Sequence, residues 1–352
     1  MHIGPRLFLQ IYSPFTKRTV CPRSGMVSKT TLRGANLVYR GRIEAFDGGS
    51  GPPFVPVYDP DIFIALRKAG ANMAVLSMPG PFQTSPPYEA DPDTVRQLDY
   101  VVGAAAIAGL FVVITFRTGP GRNDKDLLDF LPGPLERSLH QPGHPSKLAF
   151  TGMWQFVANR LKDQECVAGY DLLVEPHTRT DVEEDEDLFR AGWQQLCEQT
   201  ITAIRAVDAD TPILVQPSSW ASPDVLRDWQ MPAGSKLVCS VHQYEPFNYT
   251  DDVDGAGQNP FDFSLARTAY QHIDDFKSKF PDIPVAVTEF GVKHSCTKCD
   301  DFLQQQLNVL EEAGCNHAIW VWGDDSDNFD VQDPSLLPAI STSWEKNTTF
   351  YS

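Results

Sequence analysis

The chain has 352 residues, 42% of them hydrophobic, which is enough to bury a large core as two ordinary domains or one large barrel. A formal net charge of −17 argues against nucleic acid or an anionic membrane surface as a partner, because either would repel the surface as a whole. No segment approaches the run of about 18 apolar residues that a membrane span needs, so a neutral small molecule or polymer is the easier ligand.

The stretch up to Lys29 is basic and without clear period, and reads as an N-terminal extension (1–29) ahead of one domain (30–352). Its short apolar run is bracketed by Arg6 and Pro14 with no small-residue cleavage site after it, so a cytoplasmic chain is expected, with secretion as the alternative. Seven cysteines spread over a long chain are not a disulfide scaffold. Cys296 and Cys299 form a single C-x-x-C, which without a second pair reads as an incidental surface pair. Asn248-Tyr-Thr and Asn347-Thr-Thr match the glycosylation acceptor pattern, which matters only in a secreted chain.

From residue 32 onward, short β-rich apolar runs alternate with longer helical patterns, the mark of parallel βα units. Strands are expected at Leu32–Val38, Asn72–Ser77, Leu110–Phe116, Val167–Val174, Ile213–Gln216, Leu237–His242, Val285–Thr288 and Ala318–Trp322. Helices are expected at Pro60–Ala69, Thr94–Ala108, Asp187–Val207, Leu265–Phe280 and Asp301–Ala313, several closed by a glycine such as Gly70, Gly109 or Gly314. Eight strands with intervening helices fit an α/β fold of the (β/α)8 TIM barrel type, single domain, with long loops. A doubly wound open sheet would show a glycine-rich phosphate turn after its first strand, and Gly34-Ala-Asn-Leu is no such turn. The acidic run Asp181–Asp187 and the Gly/Asp-rich stretch Asp251–Asn259 read as solvated loops.

In such a barrel the chemistry sits at the C-terminal strand ends. Two carboxylates lie there: Glu175 in LLVEPHT and Glu289 in AVTEFGV. One carboxyl group kept as the acid and a second kept ionised nearby are the machinery of glycoside hydrolysis, although a strand-end glutamate can equally cap its loop or pair with an arginine. His242-Gln-Tyr244 follows the sixth strand, and Trp320-Val-Trp322, with Asp324 and Asp325 after it, ends the eighth. Trp220, in QPSSWASPD after the fifth strand, is a further rim candidate, as is His177 beside Glu175. Aromatic faces at a rim suit the apolar faces of sugar rings.

The order of YDLLVEPH, HQY, VTEFG and IWVW, with RGANL at the start and GANMAVLSMPG at the second strand, resembles glycoside hydrolase family 5, the cellulase family of clan A, over residues 30 to 345. The resemblance implies Glu175 as general acid/base, Glu289 as nucleophile, Tyr244 and His242 as the sixth-strand pair beside them, and Trp322 as the platform under the sugar. It implies retaining hydrolysis of β-glucan, mannan or a smaller β-glycoside, with a carbohydrate as partner and neither metal nor cofactor. The two carboxyl groups of such enzymes stand about 5–5.5 Å apart.

Three departures stand out. Val174 occupies the place where the family has an asparagine before the acid/base, and the spacing from Gly70 puts Val75 where the second strand carries an arginine. The third strand offers Arg117, in VITFRTGPGR, where a histidine is common; it either restores positive charge to the site or belongs to a structural turn. A barrel that binds carbohydrate without cleaving it is therefore the competing reading. A metal hydrolase using His177 and His242 lacks any local H-x-H or H-E-x-x-H spacing, and a serine hydrolase lacks the G-x-S-x-G elbow.

Overall fold

The structure is a computed structural model that describes residues 31–38, 59–123, 133–177, 186–323 and 328–347. The N-terminal extension, Asp324 and Asp325, and most of the acidic run Asp181–Asp187 lie outside the described residues. Eight strands close into a barrel in sequence order: β1 (Arg33–Val38), β2 (Met73–Pro79), β3 (Phe111–Thr118), β4 (Val167–Asp171), β5 (Ile213–Val215), β6 (Leu237–Gln243), β7 (Val285–Phe290) and β8 (Asn316–Ile319). Every neighbouring pair is parallel, and β8 pairs back to β1 through Gly34 and Ala318. The register leaves no room for a side chain at Gly34, where a Cβ would stand 1.8 Å from the Met73 carbonyl oxygen.

The helices between strands start where local chemistry tells them to. Asp91 accepts a hydrogen bond from the Thr94 backbone N–H at 2.7 Å, Pro92 follows it, and Gly109 at φ 76° closes that helix in the left-handed conformation. Two further helices are Pro145–Leu161, which buries Phe150, Met153, Trp154 and Val157, and Leu337–Trp344. The first carries its buried apolar positions 150, 153, 154, 157 and 161 at helical spacing around Gly152, a signal present in the sequence. Among the described residues no helix is long and apolar enough to cross a membrane.

Alternation along the strands sorts side chains into two cores. Leu37, Leu76, Ile114, Val215, Val241, Val287 and Ile319 face the helix ring. Leu32, Met73, Val75, Val113, Ala168, Leu214, Ala286 and Ala318 fill the barrel floor. Above that floor comes a buried polar layer, with Ser77 beside Thr115 and Thr115 beside Asp171 in register. The height of Val75 corrects the sequence reading: it is a floor residue paired with Val113, and the position one pleat nearer the rim on β2 is Ser77.

Cys296 and Cys299 are also corrected. Both are buried rather than on the surface, with the Cys296 thiol 3.1 Å from the Tyr249 carbonyl oxygen and the Cys299 thiol 3.5 Å from that of His294. Burial pushes the Cys296 thiol up to about 12. Cys296 thus ties the 293–299 segment to Tyr249 after β6, while Cys299 closes the segment on itself; both act as small, thiol-bearing core residues.

Candidate active site

Regular β4 pairing ends at Asp171, three residues earlier than the sequence suggests, and the chain runs irregularly through Val174 to deliver Glu175. Glu289 lies within β7, opposite His242 across a register shift between Val241 and His242. That shift brings three titrating groups together. His242 Nδ1 stands 2.9 Å from Glu175 Oε1 and 3.5 Å from Glu289 Oε2, and the Tyr244 hydroxyl donates to Glu289 Oε2 at 3.2 Å. One ligand atom from each of Glu175, His242 and Glu289 lies within 4.8 Å of the others. These three are the set a divalent cation would find among the described residues; His177, a metal candidate from sequence, is not in it.

Glu175 adopts φ 51°, a left-handed conformation that costs a non-glycine residue about 1–3 kcal/mol and needs external support. The support is buried and polar. The Glu175 N–H donates to Gln216 Oε1 at 2.7 Å, and Arg122 donates to the carbonyl oxygens of both Val174 and Glu175. His177 Nδ1 stands 2.8 Å from the same Glu175 carbonyl oxygen. Two tryptophans from outer helices fix the neighbouring strand ends: Trp154 donates to the Leu172 carbonyl and Trp193 to that of Gln216, each at 2.9 Å.

Charge in this site is shared. Burial pulls the His242 imidazole down, but Glu289 and Glu175 outweigh it and push His242 up to about 9. Burial raises the Glu289 carboxyl to about 7, Glu175 reinforcing the rise while His242, Arg117 and the Tyr244 hydrogen bond oppose it. Burial also acts to raise Glu175, yet the hydrogen bond and charge of His242, with Arg117 and Arg122, leave it below the ordinary carboxylate range. In the unliganded site the proton therefore rests on His242, which donates through Nδ1 to an ionised Glu175.

The other sequence candidates separate. Arg117 lies close enough to both glutamates to lower each, with its guanidinium carbon 5.8 Å from the Trp320 ring centre. Trp322 is corrected: it is 4% exposed and belongs to the helix-side core, its ring 6.0 Å from that of Trp344. Trp320, two residues earlier, is the half-buried indole that packs with Tyr244 against Val38, Val321 and Phe329. His177 is corrected likewise. It is fully buried, with its ring 4.8 Å from that of the half-buried Trp220 and nearly parallel to it, and its Nδ1 at the Glu175 carbonyl makes it a support of the loop. Sequence reasoning missed Arg122, Glu136, Gln216 and Asp171, and it took Trp322 rather than Trp320 of IWVW as the platform.

A parallel eight-stranded barrel with two glutamates, a histidine and a tyrosine converging at its C-terminal rim defines the barrel glycosidases as a class. The family model of the cellulases, glycosyl hydrolase family 5, matches residues 45–326. The chain belongs to that family and is a glycoside hydrolase. Among solved structures it is similar to an endoglucanase of Pseudomonas stutzeri (TM-score 0.70, 19% identity, 90% of this chain and 95% of that one). It is also similar to an endoglucanase of the hyperthermophile Thermotoga maritima (TM-score 0.67, 20% identity, 88% and 96%). The Thermotoga protein in complex with mannotriose aligns at TM-score 0.69, 21% identity, over 89% and 98%. At these identities the likeness is one of fold. No curated protein sequence matches the chain.

Proposed function

We propose that the protein hydrolyses β-linked glucans, mannans or smaller β-glycosides with retention, Glu175 serving as acid/base and Glu289 as nucleophile. The observation that carries this reading is the approach of their carboxyl oxygens to within 4.8 Å. With one oxygen of each so near, the pair suits direct attack by one carboxylate better than the wider spacing, about 6.5–9.5 Å between carboxyl groups, that an inverting site keeps for its water. Substrate class draws support from the half-buried Trp320 and Trp220 at the rim and from the family's fold relatives, whose complexes contain cellobiose and mannotriose.

In the first step Glu289 attacks the anomeric carbon as the bond to the leaving oxygen breaks. Glu175 must give that oxygen a proton, and His242 Nδ1–H, at 2.9 Å, supplies it to Glu175 as substrate displaces water. Tyr244 stays protonated, because burial and Glu289 raise its phenol well above the ordinary value, and donates to the nucleophile until the glycosyl–enzyme bond forms. In the second step Glu175, now ionised, takes a proton from water, whose oxygen attacks the same carbon and releases Glu289. The net reaction adds one water across the glycosidic bond.

Val174 favours a second reading, carbohydrate binding without turnover, since it brings no amide to the sugar's 2-hydroxyl. Reducing-sugar release from soluble β-glucans and mannans, and cleavage of aryl β-glycosides, separate the two. Glu289→Gln is expected to abolish turnover, and Glu175→Gln to reduce it by about 10²–10⁴-fold on poor leaving groups. Equal, negligible activity in wild type and Glu289→Gln on all these substrates, with sugar binding retained, would select the binding reading.

A further inference from the structure

The peptide groups on either side of Glu175 are held by two buried relays that reach it from the two strands flanking β4, one from beyond β3 and one from beyond β5. On one side the Glu175 N–H is bound by Gln216 Oε1 at 2.7 Å, and the Gln216 amide nitrogen donates to Asp171 Oδ2 at 3.0 Å. On the other, Arg122 donates to the carbonyls of Val174 and Glu175, and its Nε lies 3.0 Å from Glu136 Oε1. Each relay ends in a carboxyl group that does not face substrate: Asp171 is 0% exposed and Glu136 3%. The Asp171 relay branches further, since Ser240 donates to Asp171 Oδ2 at 2.9 Å and touches Thr288 Oγ1 at 2.6 Å. Ser240 lies two residues before His242 in β6, and Thr288 immediately precedes Glu289 in β7. The relay thus reaches from the Glu175 amide to the strands that carry the other two titrating residues.

Buried charge is expensive to maintain, and replacing such groups with apolar ones is often neutral or better for stability, so stability alone is a weak account of two buried carboxyl groups here. Left-handed φ at Glu175 supplies the other account: without donors and acceptors on both flanking peptides the segment would relax and swing the carboxyl group away. We propose that Arg122 with Glu136, and Gln216 with Asp171, are positioning residues that aim the Glu175 carboxyl group at the leaving oxygen. This rests on the reading of Glu175 as acid/base.

The test separates misplacement of an acid from general damage. Dinitrophenolate leaves without protonation, whereas phenolate needs the acid. In Gln216→Met and Glu136→Gln, kcat/KM on the phenyl β-glycoside is expected to fall about 100-fold, against about 3-fold or less on the dinitrophenyl one, because kcat/KM reports the first step, in which only the poor leaving group needs a well-placed acid. On the dinitrophenyl glycoside kcat and KM should fall together, because the second step needs Glu175 as base on either substrate. An equal fall of kcat/KM on both substrates, or no fall on either, overturns the proposal. Should either variant fail to fold, amide hydrogen exchange in the wild type decides. The Glu175 amide is expected to be among the protected amides despite lying in an irregular segment, and exchange at the rate of an open loop overturns the clamp. Should the wild type cleave neither these glycosides nor the soluble β-glucans and mannans, the turnover reading fails while the same exchange measurement still judges the clamp.

Discussion

His242 donates through Nδ1 to Glu175 at 2.9 Å while standing 3.5 Å from Glu289, so one proton is placed between two carboxyl groups. Activity needs Glu289 ionised and one proton retained on the His242–Glu175 pair. Glu289 loses its proton near 7 and His242 near 9. The kcat/KM profile, which reports the free enzyme, is therefore expected to rise through about pH 7 and fall through about pH 9. His242→Gln should pull the alkaline limb down, because Glu175 must then keep the proton unaided.

The same group acts on stability. The folded protein holds the His242 proton more tightly than the unfolded chain, whose imidazole titrates near 6.5, so this contribution is complete below 6.5 and is lost as pH rises through about 9. Thermal denaturation should show Tm falling across that window, by an amount on the order of 3 kcal/mol in stability, with a flatter profile in His242→Gln.

Tyr244→Phe removes the hydroxyl that donates to Glu289 at 3.2 Å. A hydrogen bond to a charged group contributes about 1.5–3 kcal/mol, so kcat/KM should drop about 10–150-fold. Because that bond lowers the Glu289 pKa, its loss should also move the acid limb to higher pH. A pH–rate profile of the variant checks both.

The two tryptophans of IWVW should respond in opposite ways. Trp322→Ala empties a site that is 4% exposed and packed on Trp344, and is expected to cost about 3–5 kcal/mol by denaturant titration. Trp320→Ala, at a half-buried rim position, should spare most of that stability and lower kcat/KM on oligosaccharides.

Trp193→Phe keeps most of the buried surface but orphans the Gln216 carbonyl, which now accepts the indole N–H at 2.9 Å. An unsatisfied buried acceptor costs about 1–3 kcal/mol, which urea unfolding would register.

Much of this protein was legible as a string of residues. Periodicity placed all eight strands to within a few residues, because strand alternation and helix amphipathicity are local properties. Glu175 and Glu289 stood out because each ends an apolar run. Trp322 misled because sequence spacing cannot tell which of two indoles in one strand turns toward the helices, and Val75 misled because height in a barrel follows strand register rather than distance from a glycine.

By itself, then, the sequence determined the βα alternation, the family, and which carboxylates end their strands. Tertiary structure decided what holds them. Arg122 and Glu136 sit 53 and 39 positions before Glu175, and Gln216 and Asp171 sit 41 and 4 positions from it, yet all four meet its flanking peptides or each other in the interior. Such contacts form only when barrel closure removes water from these groups and leaves each buried donor and acceptor no partner but another.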